Sequence, residues 1–146
     1  MSLLDAPQYD PARERRQKLR IGIIVIAVLI IGMLVYLNRY WLQEREVNQF
    51  FTALEHQNFK QAYGIWMADP KWEQHPQKFE RYPFNEFYQD WGPGGEWGLI
   101  HAHRVEGAVR PKGGNGVVVV TEVNGRAEPS RLWVDSEDKT LSFSPF

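Results

Sequence analysis

The run Ile21–Leu37, IGIIVIAVLIIGMLVYL, is seventeen residues long, carries no charge, and contains twelve Ile, Val or Leu side chains. On insertion scales each of these favours the bilayer by about 0.3 to 0.6 kcal/mol, so together they contribute roughly 4 to 7 kcal/mol. As a helix rising about 1.5 Å per residue, the run spans about 25 Å. Extending it to Leu19 and Trp41 covers the ~30 Å of a hydrocarbon core. Arg20 can stretch its guanidinium to the headgroups at one end, and Tyr36, Arg39, Tyr40 and Trp41 suit the interface at the other. No flanking stretch is apolar enough to bury so oily a helix on all sides in a soluble core. The run also exceeds the ~7–15 apolar residues of a signal-peptide core, and no small-x-small cleavage pattern follows it.

The sequence therefore predicts three parts: a cytoplasmic basic tail at residues 1–18, a transmembrane signal anchor at 19–41, and an extracytoplasmic domain at 42–146. Arg13, Arg15, Arg16, Lys18 and Arg20 precede the span, whereas only Arg39 and Arg45 follow it closely. By the positive-inside rule the N-terminus is expected in the cytoplasm and the domain on the periplasmic side of an inner (plasma) membrane. The expected partner of the first two parts is the lipid bilayer.

Beyond the anchor, roughly a hundred residues leave room for one domain. Net charge is −1, and no basic stripe interleaves with the aromatics, so no nucleic-acid partner is expected. The chain has no Cys, which excludes disulfides, thiolate metal sites and cysteine nucleophiles. Six Trp, six Tyr and eight Phe offer a small domain the core that disulfides do not.

In chain order, Met1–Gln8 reads as disordered, and Asp10 as a cap before Pro11 at the first helical position. After the membrane, Val47, Phe50, Phe51 and Leu54 fall on one helical face, and no Gly or Pro separates this helix from the anchor. A single unbroken rod is therefore expected. Asn58 caps a second helix whose apolar positions are Phe59, Ala62, Tyr63 and Trp66. Phe84, Phe87, Tyr88 and Trp91 repeat the spacing before Gly92-Pro93-Gly94-Gly95 stops the third. From Leu99 the period becomes two. Strands are expected at Leu99–Val109, Val117–Val123, Pro129–Asp135 and Thr140–Phe146, with Asn124-Gly125 as a hairpin turn. Helices first and a meander after them predict an α+β fold: a transmembrane helix, then three helices packed on a curved four-stranded antiparallel sheet.

The segment Val47–Trp66, VNQFFTALEHQNFKQAYGIW, resembles the opening of nuclear transport factor two-like domains. These begin with a helix of the form x-x-F-F-x-A-L, a short polar break, and a second helix carrying an Ala-Tyr or Ala-Trp pair. The later YPFNEFYQDWGP and the strands around RLWVD look like membrane-anchored bacterial members. The resemblance covers Val47–Phe146 and implies a cystatin-like cone of curved sheet around helices, often with a pocket at its wide end. Its motif consists mostly of core hydrophobics, so it speaks to fold and hardly to function. Enzymes on this fold, such as ketosteroid isomerases and dehydratases, place carboxylates and a Tyr or His in that pocket. No such set is matched here.

His101 and His103 would share one face of a strand, as two metal ligands can, but a site needs a third or fourth ligand. Only Glu73 and His75 suggest themselves, and nothing in the sequence brings them near. Asp90, Glu86 and Glu106 would have to converge on one substrate to act as acid and base. Asp90 falls off the apolar stripe of its helix, and Glu106 has the opposite strand parity to the histidines. The glycines at 92–95 follow a helix, so they form a stop and not a phosphate cradle. No catalytic residue, metal ligand or cofactor is assigned. Trp72 and Trp97, set in polar or Gly-rich loops, are expected to be exposed as interface anchors.

The expected function is that of a non-catalytic accessory or assembly subunit that docks an extracytoplasmic domain onto a larger membrane complex. Its architecture is similar to that of type IV secretion inner-membrane subunits and of proteins associated with lipid importers. Other membrane or periplasmic subunits would be its partners. The alternative is a domain that binds a small apolar ligand or lipid at the membrane surface, with an isomerase- or dehydratase-type enzyme behind it.

Overall fold

The computed structural model describes residues 11–145. The expected disordered start, the Asp10 cap and the last residue of the expected fourth strand lie outside them. The chain divides into two units, Met1–Arg39 and Tyr40–Phe146.

In the first unit, helix α1 spans Pro11–Leu37 with no buried residue. Pro11 suits the first helical position because its missing N–H would have had no intrahelical partner there. The polar first turns carry an exposed Glu14–Lys18 pair at 2.7 Å. From Ile21 on, the side chains are apolar and more than half exposed. Among the described residues this is one helix long and apolar enough to cross a membrane.

The expected unbroken rod is not formed. Residues 38–40 are a turn, and the next helix starts at Trp41. Asn38 N–H still makes the helical bond to the Leu34 carbonyl at 3.0 Å, to which its side-chain Nδ2 also donates at 2.9 Å, and the next amide, Arg39 N–H, reaches back only to Tyr36 O at 3.4 Å. A short polar side chain that competes for a backbone carbonyl is a common way for a helix to end. Periodicity, which ran on without Gly or Pro, gave no sign of it.

The second unit is α+β. Helices α2 (Trp41–Glu55), α3 (Phe59–Trp66) and α4 (Phe84–Trp91) precede strands β1 (His103–Val109), β2 (Gly116–Val123), β3 (Ser130–Asp135) and β4 (Leu141–Phe143). The strands form one open antiparallel sheet in the order β1-β2-β3-β4. The apolar stripe of α2, Val47, Phe50, Phe51 and Leu54, is fully buried, and α2 lies against β1, β2 and β3. Helix α3 packs beside α2 and touches β4, and α4 packs on α3. From the sheet, Val117, Val119, Val123, Leu132, Val134 and Leu141 complete the core.

Helices α2 and α3 end alike. At the first end, Gln57 N–H donates to Leu54 O and Asn58 N–H to Ala53 O. At the second, Ala68 N–H donates to Ile65 O and Asp69 N–H to Gly64 O. This is the paired bonding of a Schellman motif, which puts Gln57 and Ala68 in the left-handed region at φ 54° and 51°. Asn58 then caps α3, its Oδ1 accepting from Gln61 N–H at 3.2 Å.

Two strand expectations are corrected. The first strand starts at His103, not Leu99, because Asn124 takes the backbone groups before it. Asn124 Oδ1 accepts from His101 N–H at 2.8 Å, and its Nδ2 donates to Leu99 O at 3.0 Å. The turn at Asn124-Gly125 is present, with φ of 53° and 67° and a bond from Arg126 N–H to Val123 O at 3.0 Å. It does not close a tight hairpin. Pairing resumes only at Thr121 with Ser130, after a loop containing Pro129, which has no N–H to give a ladder.

Candidate functional site

Asn48, Phe51 and Glu55 sit at i, i+3 and i+7 of α2, a polar-apolar-polar stripe at the margin of its buried face. The sheet brings His103, the first residue of β1, to this stripe. His103 Nδ1 lies 2.6 Å from Glu55 Oε1, and Nε2 lies 3.0 Å from Asn48 Oδ1. The imidazole stacks on Phe51 with centroids 5.5 Å apart. Its side chain is 8 % exposed and that of Glu55 is 24 %. The ring is thus held on both nitrogens and on one face, an arrangement that fixes an imidazole firmly but leaves it no free nitrogen. Sequence reading missed this cluster because its members lie 48 and 55 residues apart. The available signal was the pair Asn48 and Glu55 flanking a buried Phe on one helical stripe.

The histidine pair read from the sequence is not a unit. His103 turns to α2, whereas His101 precedes the strand and is exposed. Glu73 pairs with Lys60 at 2.6 Å, and His75 is bonded to Asp69. Asp69 also accepts from Lys71 N–H at 2.9 Å. The His75 bond, more than the Lys71 amide and the nearby Lys78, holds the Asp69 carboxyl below the ordinary aspartate range. Asp90 is exposed and accepts from the Tyr82 hydroxyl at 2.7 Å. Burial, then that bond to Asp90, pushes the Tyr82 phenol well above its usual range. Glu86 is exposed. Glu106 sits at a bulge between Val105 and Gly107 and lies 3.5 Å from Arg104, which also pairs with Glu122. Asp90 and Glu86, one helical turn apart, both lie near Tyr82, whereas Glu106 is held by Arg104 on β1.

Trp72 and Trp97 are half-buried, not exposed. The Trp72 ring stacks on Phe84 at 5.1 Å and meets Tyr63 edge-on at 4.7 Å. Its Nε1 donates to Lys60 O at 3.1 Å. The Arg126 guanidinium covers Trp97 at 5.0 Å from the ring centroid. Of the residues expected at the membrane interface, Arg39 lies over the Tyr36 ring at 4.1 Å. Trp41 is 51 % exposed, and Arg45 lies over its ring at 5.4 Å. Arg20 is exposed on α1. Tyr40 instead packs partly buried against the core of the second unit.

Between helices and sheet, the space is occupied by the chain's own rings. Phe50 meets Trp91 at 5.0 Å and 88°, Trp66 lies 5.6 Å from Trp91, and Trp91 stacks parallel on Phe143 at 5.8 Å. Trp91 Nε1 and Thr121 Oγ1 are buried there without a hydrogen-bond partner among the described residues. An open recess of about 940 Å³ lies elsewhere, walled by polar side chains of α2 and α3 and by the Asp138-Lys139 turn. Asn48, Thr52, His56, Lys60 and Gln61 line it over a floor that includes Ala53 and Gly64. Its charges are of both signs, and Ile65, Pro70 and Trp72 add apolar surface to its wall. No family model, curated protein or solved structure matches this chain.

Proposed function

We propose that this protein is a membrane-anchored accessory subunit whose folded unit docks onto other subunits and performs no chemistry of its own. The observation that carries the reading is the contrast between the two units. Helix α1 buries none of its apolar side chains, so it demands an apolar solvent. The second unit fills its interior with Phe50, Phe51, Trp66, Phe87 and Trp91, leaving surface contacts as its means of action. The positive charge ahead of α1 supports a cytoplasmic N-terminus and an extracytoplasmic domain. Three helices before a four-stranded meander support a nuclear transport factor two-like domain, in which the aromatic rings occupy the place of a pocket. A small-ligand reading would require those rings to move apart.

Three measurements test this. Carbonate extraction of membranes should leave the full-length chain in the pellet; a trimmed chain in the soluble fraction would make α1 a cleaved signal sequence. Protease added outside should digest the second unit and spare the basic tail. On blue-native gels of gently solubilised membranes the protein should migrate in a larger complex with other polypeptides. Migration only as a free chain, or as copies of itself alone, would sink the accessory-subunit reading.

A further inference from the structure

Helix α1 ends at Leu37, and Leu19–Leu37 measures about 27 Å along a helix, a few ångströms short of a ~30 Å hydrocarbon core. Tyr40 already packs against the core of the second unit. Three Cα steps separate it from Leu37, at most about 11 Å of chain. The headgroup layer is itself roughly 5 to 8 Å deep on each side. The start of α2 can therefore clear the bilayer that α1 would cross by only a few ångströms. That start is apolar on the outside. Trp41 and Leu42 are 51 % and 58 % exposed, whereas the exposed positions further along α2 are Arg45, Asn48 and Gln49. The other large exposed apolar residues described in the second unit, Tyr88, Val109 and Phe143, sit on three separate elements. Cations flank the pair: Arg39 lies over Tyr36 at 4.1 Å, and Arg45 lies over Trp41 at 5.4 Å.

We propose that the first turn of α2 is a foot that seats the second unit on the lipid headgroups, with Trp41 and Leu42 in the interfacial layer. The proposal rests on the reading of α1 as a membrane span, and adds that the folded unit binds the bilayer itself. A Trp ring suits that layer because its body is apolar and its N–H is polar. Leu42 supplies part of the apolar depth that α1 lacks. A guanidinium resting on an aromatic face keeps its N–H groups free for phosphate oxygens. Arg39 and Arg45 thus meet the phosphates while their rings lie deeper. Were the apolar pair instead the footprint of a protein partner, it would stay in water when the purified chain is placed in lipid alone.

The absence of Cys makes the test direct. Full-length Val28→Cys, Leu42→Cys and His56→Cys are each labelled with an environment-sensitive nitrobenzoxadiazole dye. The purified chains are then reconstituted into liposomes of phosphatidylethanolamine and phosphatidylglycerol. Leu42 and His56 are both exposed, near the two ends of α2, so the fold alone treats them alike. The dye on Leu42→Cys should emit blue-shifted and lose intensity to lipid spin-labelled near the headgroup. The dye on His56→Cys should do neither. Adding Trp41→Ser to Leu42→Cys should weaken the quenching, with an unchanged melting transition showing that the variant folds. If Val28→Cys is quenched by lipid spin-labelled deep in the chains while Leu42→Cys behaves like His56→Cys in water, the foot is overturned and the anchor stands. Equal quenching at positions 42 and 56 overturns it too, since the contact is then not confined to the first turn. No quenching of Val28→Cys overturns the anchor reading and the foot with it.

Discussion

Glu55 Oε1 and His103 Nδ1 lie 2.6 Å apart, joining the last turn of α2 to the first residue of β1. The link crosses the margin of the core, where Phe51 stacks on the same imidazole and Asn48 meets its other nitrogen. Removing either partner strands a polar group in a largely water-free place. Glu55→Ala or His103→Ala should each destabilise the fold by about 1 to 3 kcal/mol in urea melts. Because the two groups act as one contact, a double-mutant cycle should return a coupling of about 1 to 3 kcal/mol. A coupling near zero would mean that the contact contributes nothing to holding α2 on the sheet.

The two Schellman ends carry residues ill suited to them. A side chain in the left-handed region costs about 1 to 2 kcal/mol, whereas Gly loses roughly 0.5 to 1 kcal/mol of extra chain entropy. Gln57→Gly and Ala68→Gly should therefore each stabilise the second unit, by about 0.5 to 1 kcal/mol. The urea midpoint should rise with no change in slope. A fall in midpoint would show that the Gln57 or Ala68 side chain makes a contact worth more than its backbone costs.

Two turn carboxylates predict an acid limb. The His75 bond lowers Asp69, and the Glu137 backbone amide, ahead of the Asp138 amide, lowers Asp135. A carboxylate depressed in the folded state gives stability that is present above the unfolded value of about 3.9. That stability is lost as pH falls through the folded value. Melting temperature should thus drop below about pH 4. Asp69→Asn should melt lower than the parent at neutral pH and converge with it in strong acid. Parallel curves down to the lowest pH would disprove the assignment.

How far the sequence could be read depended on whether a feature was periodic or particular. The stripes Val47–Phe50–Phe51–Leu54 and Phe59–Ala62–Tyr63–Trp66 were legible because burial selects apolar residues at helical spacing, and all are buried but Phe59, which is half-buried. Phe84–Trp91 was legible in the same way, except that Tyr88 is 44 % exposed. What periodicity could not show were single side chains that bond to distant or local backbone. Helix α1 ends beside Asn38, and Asn124 removes Leu99–Ala102 from the first strand. The candidate site fared worse. His103 was noticed for its neighbour His101, while its actual partners belong to a helix some fifty residues earlier. Trp72 looked exposed because its loop is polar, yet its ring fills the space beside Phe84 and Tyr63.

The same contrast between pattern and contact governs the glycines of the β1–β2 turn, which look like generic loop residues. The Trp133 indole lies against them on the sheet face away from α2. A Cβ on Gly114 would sit 2.5 Å from Trp133 Cη2, and one on Gly116 would sit 2.5 Å from Trp133 Cζ2 and from the Val134 carbonyl oxygen. Neither glycine has a positive φ in the range that favours glycine, so the demand is for space and not for backbone freedom. Gly116→Ala should cost about 1 to 3 kcal/mol through overpacking, because both a ring and a backbone atom would have to yield. Gly114→Ala, which meets the ring alone, should cost less, and Trp133→Val should restore part of what Gly114→Ala loses. If Trp133→Val rescued Gly116→Ala completely, the Val134 carbonyl would not be the obstacle that the structure makes it.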